Sequence, residues 1–238
     1  MTRAGDGRPL RRLALLTGAL AIFMGFCALG VWQVQRLAWK TDLIARVEAR
    51  LAAPPVPAPG PADWPGLSPR ADEYRRVAVS GRYAADSDVL VKAVTDRGPG
   101  FWVMTPLATA DGWTVLVNRG FVPDEARSAA RALPAAPAEV TGLLRMSQPK
   151  GAFLRRNRPE EGRWYSRDTA AIAASLGLPA VAPYFIDADA RPDGDLPIGG
   201  LTVVGFRNSH LGYALTWFAL AALWAGWLGW LWRRGKAD

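Results

Sequence analysis

Two uninterrupted apolar runs decide what this chain can fold into. Leu13 to Gln35 is 23 residues without a charge, and Leu211 to Trp232 is another 22. As helix at about 1.5 Å per residue each reaches roughly 33 Å, enough to cross a hydrocarbon core of about 30 Å. Apolar residues make up 50% of the 238 and eleven are Trp, rich for a purely soluble protein. The first run is preceded by Arg3, Arg8, Arg11 and Arg12, as a cleaved signal peptide would be. It is longer than the usual apolar region of roughly 7–15 residues, no A-x-A site closes it, and Trp32 lies within it. The lone Cys27 follows Phe26, not the small residue expected before a lipid-modified cysteine. The run is therefore read as an uncleaved anchor.

Orientation follows from the flanking cations. Four Arg precede the first span, and Arg233, Arg234 and Lys236 follow the second, which puts both termini in the cytoplasm and the long middle segment outside. Those seven account for much of the net charge of +8; the segment between the spans carries 22 basic against 19 acidic residues. With no basic helix interleaved with aromatics, nucleic-acid binding is not expected. A single Cys excludes an intrachain disulfide, a C-x-x-C pair and a structural zinc site, and one His with four scattered Met argues against a copper carrier.

The chain divides as follows: a cytoplasmic tail at 1–12, a first span at 13–35, a helical extension at 36–51, a Pro-rich strap at 52–69, a mainly-β outer domain at 70–207, a second span at 208–232 and a cytoplasmic tail at 233–238. The extension "RLAWKTDLIARVEARL" spaces Leu37, Ile44, Val47 and Leu51 near the helical period, with Asp42 and Arg46 paired at i,i+4. "AAPPVPAPGPADWPGLSP" lacks the amide donors a helix or sheet needs and reads as an extended, semi-rigid strap. Strand character recurs at 74–83, 88–94, 101–109, 112–122, 138–146, 182–188 and 201–207, with turn signals at Arg97-Gly98-Pro99-Gly100 and at Asp111-Gly112, the latter a hairpin. One soluble helix is predicted at 168–177, with Asp168 as N-cap and Gly177 just past its end. Only 131–138 looks disordered beyond the strap. The expected fold is two transmembrane α-helices flanking an α+β, mainly antiparallel outer domain, a sheet or small barrel.

Catalysis finds little support. The only His lies at the membrane boundary, away from any G-x-S-x-G turn, so a hydrolytic triad is not expected. Asp86 with Asp88 and Glu160 with Glu161 fit no acid/base spacing, and Gly98-Pro99-Gly100 lacks the setting of a phosphate loop. No catalytic residue is assigned and the chain is not expected to be an enzyme. What remains is the outer membrane boundary. His210, Tyr213, Ala214 and Trp217 share one face of the second span, and Trp32, Arg36 and Trp39 share one face of the first. A neutral imidazole is a good axial ligand for haem iron, and flat rings with a guanidinium suit a porphyrin and its propionates. A helix start at Asn208 or Ser209 sets His210 at the positive dipole end, which disfavours imidazolium and leaves a nitrogen for metal. An ordinary interfacial belt of aromatics accounts for the same residues, and taken alone they favour the belt. Ala222 with Gly226 reads as close helix packing.

Four blocks carry a resemblance: "LGVWQVQRLAWK" (29–40), "GFWVMTPL" (100–107), "VNRGFVP" (117–123) and "RNSHLGYALTWFALA" (207–221), supported by "RWYSRDTAAIA" (163–173) and "PYFIDA" (183–188). In order and topology the chain resembles the Surfeit locus protein 1 family, whose members assist assembly of cytochrome c oxidase. The resemblance implies a non-enzymatic helper in the inner membrane of a bacterium, since the twelve residues before the first span are short for a transit peptide. It implies work on the haem a centres of oxidase subunit I, with haem a bound or passed on. His210 matches the histidine of the family's "NNHL" block, with Ser209 in place of an Asn, and becomes the expected axial ligand; Trp32, Arg36, Tyr213 and Trp217 are expected to wall the porphyrin. Phe121 stands where the family's "NRGWVP" has Trp. For Arg119 a structural role is preferred over haem contact. The alternative is a cofactor-free scaffold that stabilises subunit I or recruits the haem a synthase.

Overall fold

The computed structural model describes residues 7–130, 136–150, 155–191, 196–202, 205 and 208–234. In chain order its elements are α1 (Gly7–Ala52), β1 (Val56–Pro57), α2 (Pro69–Asp72), β2 (Arg76–Tyr83), β3 (Val89–Thr95), β4 (Gly98–Thr109), β5 (Thr114–Pro123), α3 (Arg127–Ala130), β6 (Pro137–Met146), α4 (Thr169–Ser175), β7 (Val181–Ala188) and α5 (His210–Arg234). Short 3₁₀ turns lie at Trp64–Gly66, Asp124–Ala126 and Pro159–Glu161. Two compact units result: a helical one, Met1–Arg46 with Gly205–Asp238, and a β one, Val47–Val204.

In the helical unit α1 and α5 are long and apolar enough to cross a membrane, and their most apolar windows are only 6% and 11% buried. A core helix of a soluble domain would hide those side chains; here Leu13, Leu15, Leu16 and Leu223 point outward, the arrangement that lipid rewards. α1 is continuous for 46 residues, so the expected extension is an unbroken continuation of the span.

The β unit is a small barrel. Its sheet runs β1-β2-β6-β7-β5-β4-β3, and β2 also pairs with β4 through Gly81–Tyr83 and Leu107–Thr109, which closes a five-stranded ring. Pairing is antiparallel except for β5 with β7 and β1 with β2. Alternation along β2 turns Val77 and Val79 inward, where they meet Leu107, Val115, Val117, Leu144, Tyr184 and Ile186. β4 and β5 are buried on both faces, because α4 covers Met104 and Leu116 with Ile172, while Ala130 of α3 packs against the Phe101, Val103 and Val122 patch. Their near-continuous apolar runs follow from that double cover.

The strap between α1 and the barrel is fastened down along its length. Val56–Pro57 pairs parallel with Val77–Ala78, and the Pro59 carbonyl accepts from Trp64 Nε1 at 3.0 Å and from the buried Tyr184 hydroxyl at 2.8 Å. Trp64 also packs edge-on against Trp113. Arg50, in the last turn of α1, donates to the carbonyls of Glu73 and Arg70. The compact β unit therefore begins at Val47, ahead of the domain start expected at residue 70. Proline removed donors without removing acceptors, and it is the acceptors that tie the strap to the barrel.

Six of the expected strands form within two or three residues of their predicted ends; the seventh, 201–207, falls largely on Val203, Val204, Phe206 and Arg207, outside the described residues. Most of the 131–138 segment also lies outside them, while Pro137 and Ala138 open β6. The hairpin at Asp111-Gly112 forms, with Gly112 at φ +82°. The other turn is shifted: β3 and β4 are joined by Asp96-Arg97, and Pro99 and Gly100 lie inside β4, opposite Val94 and Ala93. The predicted helix runs Thr169–Ser175, with Asp168 accepting from Ala171 N–H at 3.2 Å and Gly177 at φ +62°.

Candidate functional site

Within the helical unit α1 carries one row of less exposed residues, Ala19, Phe23, Phe26, Gly30, Gln33 and Leu37, most of it turned toward α5. The matching row on α5 is His210, Ala214, Trp217, Ala221, Trp224 and Leu228. Both advance by alternating steps of four and three, the 3.5-residue period of a coiled-coil seam. The antiparallel register is set by three contacts: His210 with Gln33, Trp217 stacked on Phe26 at 6.0 Å, and Trp224 Nε1 donating to the Ala19 carbonyl at 2.9 Å. Gly30 lies under the Phe218 ring, and a Cβ there would come within 2.6 Å of it. Small residues at such points let the helices approach.

His210 opens α5, with Ser209 accepting the first intrahelical bond, from Tyr213 N–H at 3.3 Å. Its Nδ1 lies 2.7 Å from Gln33 Oε1. Facing that carboxamide oxygen, which can only accept, a neutral imidazole donates through Nδ1 and keeps its lone pair on Nε2. Two residues upstream, Asn208 Oδ1 is a buried acceptor with no hydrogen-bond partner among the described residues. Trp217 is held in the seam by Phe26. The other expected wall residues point away from it: Trp32 is 50% exposed, Tyr213 is 56% exposed, and Arg36 is exposed with its guanidinium 4.6 Å over the Trp39 ring. The structure thus joins His210 and Trp217 to one seam and leaves Trp32, Arg36 and Tyr213 on the outer surface of the helix pair. Arg36 and Tyr213 border the seam one step from Leu37 and Ala214, on rows that share a flank in an antiparallel pair.

The sequence reading passed over Gln33, although a polar side chain on the inward row of a membrane helix is a signal in itself. It also passed over a second cluster at one end of the barrel. Asp187 of β7 is 4% exposed and accepts from Asn118 Nδ2 (2.7 Å), Arg145 (2.7 Å), Arg167 (3.1 Å) and Thr202 (2.8 Å). Glu73 takes a second hydrogen bond from Arg145 at 2.8 Å. Burial pulls the Arg145 guanidinium down, but Asp187 and Glu73 outweigh it and hold it above the ordinary arginine value; at Arg167 burial wins and lowers it. A cleft of about 800 Å³, with Trp102 on its wall, opens beside this network.

Asn118 also accepts from Gly120 N–H, bracing a bend where Gly120 takes φ +134° and a Cβ would meet the Ile198 backbone at 2.4 Å. Arg119 stacks 4.3 Å over Tyr83, and burial sets it below the ordinary arginine value against the pull of Tyr83 and Asp88. Its place is a packing one on the barrel wall.

The SURF1 family model matches residues 20–222. This chain belongs to the SURF1 family. It is 36% identical to Surfeit locus protein 1 of Mus musculus, across 92% of this chain and 74% of that protein. Identity to Surfeit locus protein 1 of Homo sapiens is 35%, across 93% and 77%. Identity to the SURF1-like protein of Monosiga brevicollis is 36%, across 87% and 83%. As a SURF1 family member with two candidate spans, the chain is a membrane protein. The blocks that carry the family likeness meet in pairs: Gly30 and Gln33 of the first touch Phe218 and His210 of the last, and 100–107 is hydrogen-bonded to 117–123 along β4 and β5.

Proposed function

We propose that this chain is an assembly factor for cytochrome c oxidase that holds or presents haem a for maturation of oxidase subunit I, with His210 Nε2 as the axial ligand. The SURF1 family is one of oxidase assembly factors, which supports the general role. The observation that carries the cofactor reading is the bond from His210 Nδ1–H to Gln33, which leaves a ligand lone pair at the end of a membrane helix. Arg36 and Tyr213 on the flank of the seam suit a propionate and a ring face, and the orphaned Asn208 Oδ1 offers an acceptor to a polar substituent of the cargo. Trp32 lies further round α1, on its exposed face. On this reading the chain sits in a bacterial cytoplasmic membrane with both termini inside and the barrel in the periplasm.

The test is an optical spectrum of the detergent-purified full chain, co-produced with haem a biosynthesis. Wild type is expected to carry haem with an axially ligated spectrum, and His210→Ala to lose it. Unchanged spectrum and stoichiometry in His210→Ala would remove the ligand assignment. A cofactor-free scaffold that grips subunit I or the haem a synthase is the second reading. It is favoured by the outward exposure of Trp32, Arg36 and Tyr213, a surface suited to a neighbouring helix. Oxidase assembly that survives His210→Ala but fails when the barrel is disrupted, with no haem on wild type, would select it.

A further inference from the structure

We infer that Gln33 is a positioning residue: it holds His210 as the Nδ1–H tautomer and so leaves Nε2 bare for a metal-bearing ligand. The inference rests on the haem reading for the identity of that ligand, but its physical content is independent of haem. Free imidazole of a histidine side chain favours the proton on Nε2, the state in which Nε2 cannot ligate. An acceptor at 2.7 Å from Nδ1 reverses that preference. Gln33 is 8% exposed and lies on the inward row of α1, between Gly30 and Leu37, so its carboxamide is held against α5 and is shielded from competing water. Deeper along the seam the two rows contain only apolar side chains and, about four turns on, the Trp224 indole, so this is the one place along it where two polar side chains of the described residues meet. Outer partners of ligating imidazoles set tautomer and ring orientation, and their removal typically costs about 10–100-fold in metal affinity.

Because the chain has a single histidine, each imidazole nitrogen gives one signal in a ¹⁵N spectrum of the full-length protein in bicelles. At a pH where the ring is neutral, wild type is expected to show protonated Nδ1 and bare Nε2. Gln33→Leu is expected to move the population toward Nε2–H, and Gln33→Glu, which keeps an acceptor, to restore the wild-type pattern. Titrated with haem a, Gln33→Leu should bind about 10–100-fold more weakly than wild type, and Gln33→Glu within a few-fold of it. An Nε2–H majority in wild type, or a tautomer unmoved by Gln33→Leu, overturns the inference whether or not haem binds. A switched tautomer with haem affinity unchanged overturns the positioning role. Equal haem binding by His210→Ala overturns the ligand reading beneath it, and is told apart because the tautomer results then stand by themselves. Loss of fold in Gln33→Leu would show as a collapse of all signals, in which case the Gln33→Glu tautomer decides.

Discussion

Asp187 is the residue on which most of the barrel's buried charge converges. Four donors surround it, two of them the largely buried guanidiniums of Arg145, which also reaches Glu73, and Arg167, which also reaches Gln148. Removing one partner of a buried ion pair costs about 3–5 kcal/mol, because the remaining charge has no water to turn to. Asp187→Ala should therefore destabilise the barrel by about that much in urea unfolding followed by Trp fluorescence, whereas Thr202→Val, which deletes one neutral donor, should cost about 1 kcal/mol. Asp88 behaves differently. Burial raises its carboxyl above the ordinary range, although a hydrogen bond from Thr105 and the charge of Arg119 pull the other way. A raised native value means the folded chain keeps a proton that the unfolded chain has released. The stability this lends is complete below the unfolded value of about 3.9 and fades as pH rises through the native one. Wild type should thus lose stability relative to Asp88→Asn as pH climbs above about 4; parallel pH curves for the two would show that Asp88 is not the source.

Among the elements, the helix pair makes the sharpest geometric claim. With Cys27 replaced by Ser, the double variant Phe26→Cys/Trp217→Cys should oxidise to an intramolecular disulfide, and Trp32→Cys/Tyr213→Cys should not. Mobility on non-reducing gels separates the outcomes, and cross-linking of the second pair instead would mean the seam is rotated. Much of this layer was legible beforehand. The two spans came from charge-free length, the hairpin from Asp111-Gly112 and α4 from its cap at Asp168, all signals local in sequence. What stayed hidden was non-local. Asn118, Arg145, Arg167 and Asp187 lie up to 69 residues apart and share no motif: the pairing of β5, β6 and β7 gathers three of them, and the segment before α4 brings Arg167. Gln33 was hidden for another reason: the tryptophans and arginine near it drew attention to the face that turns outward, while the inward row is betrayed only by the spacing of its partner on α5. The strap misled because proline reports on missing donors and is silent about the acceptors that hold it.

At the scale of the molecule, charge placement and fold make separate statements. Arg11 before the first span and Arg233 and Arg234 after the second predict that both termini stay inside. With Cys27 again replaced by Ser, Ser80→Cys on the exposed face of β2 should react with a membrane-impermeant maleimide in intact spheroplasts, and Arg234→Cys only after permeabilisation. The reverse pattern would invert the topology.

The position of β7 carries a kinetic corollary. Among the described strands it is the last to leave the ribosome, yet it is wedged between β5 and β6, parallel to the one and antiparallel to the other. Until the chain has emerged as far as Ala188, those two neighbours face an open slot with unpaired amides on either side. Closure is thus deferred until long after α1 has been synthesised, and distant pairings of this kind are slow to form. For that interval the nascent polypeptide is open to clipping and to pairing with foreign strands, a liability that the strand order alone imposes.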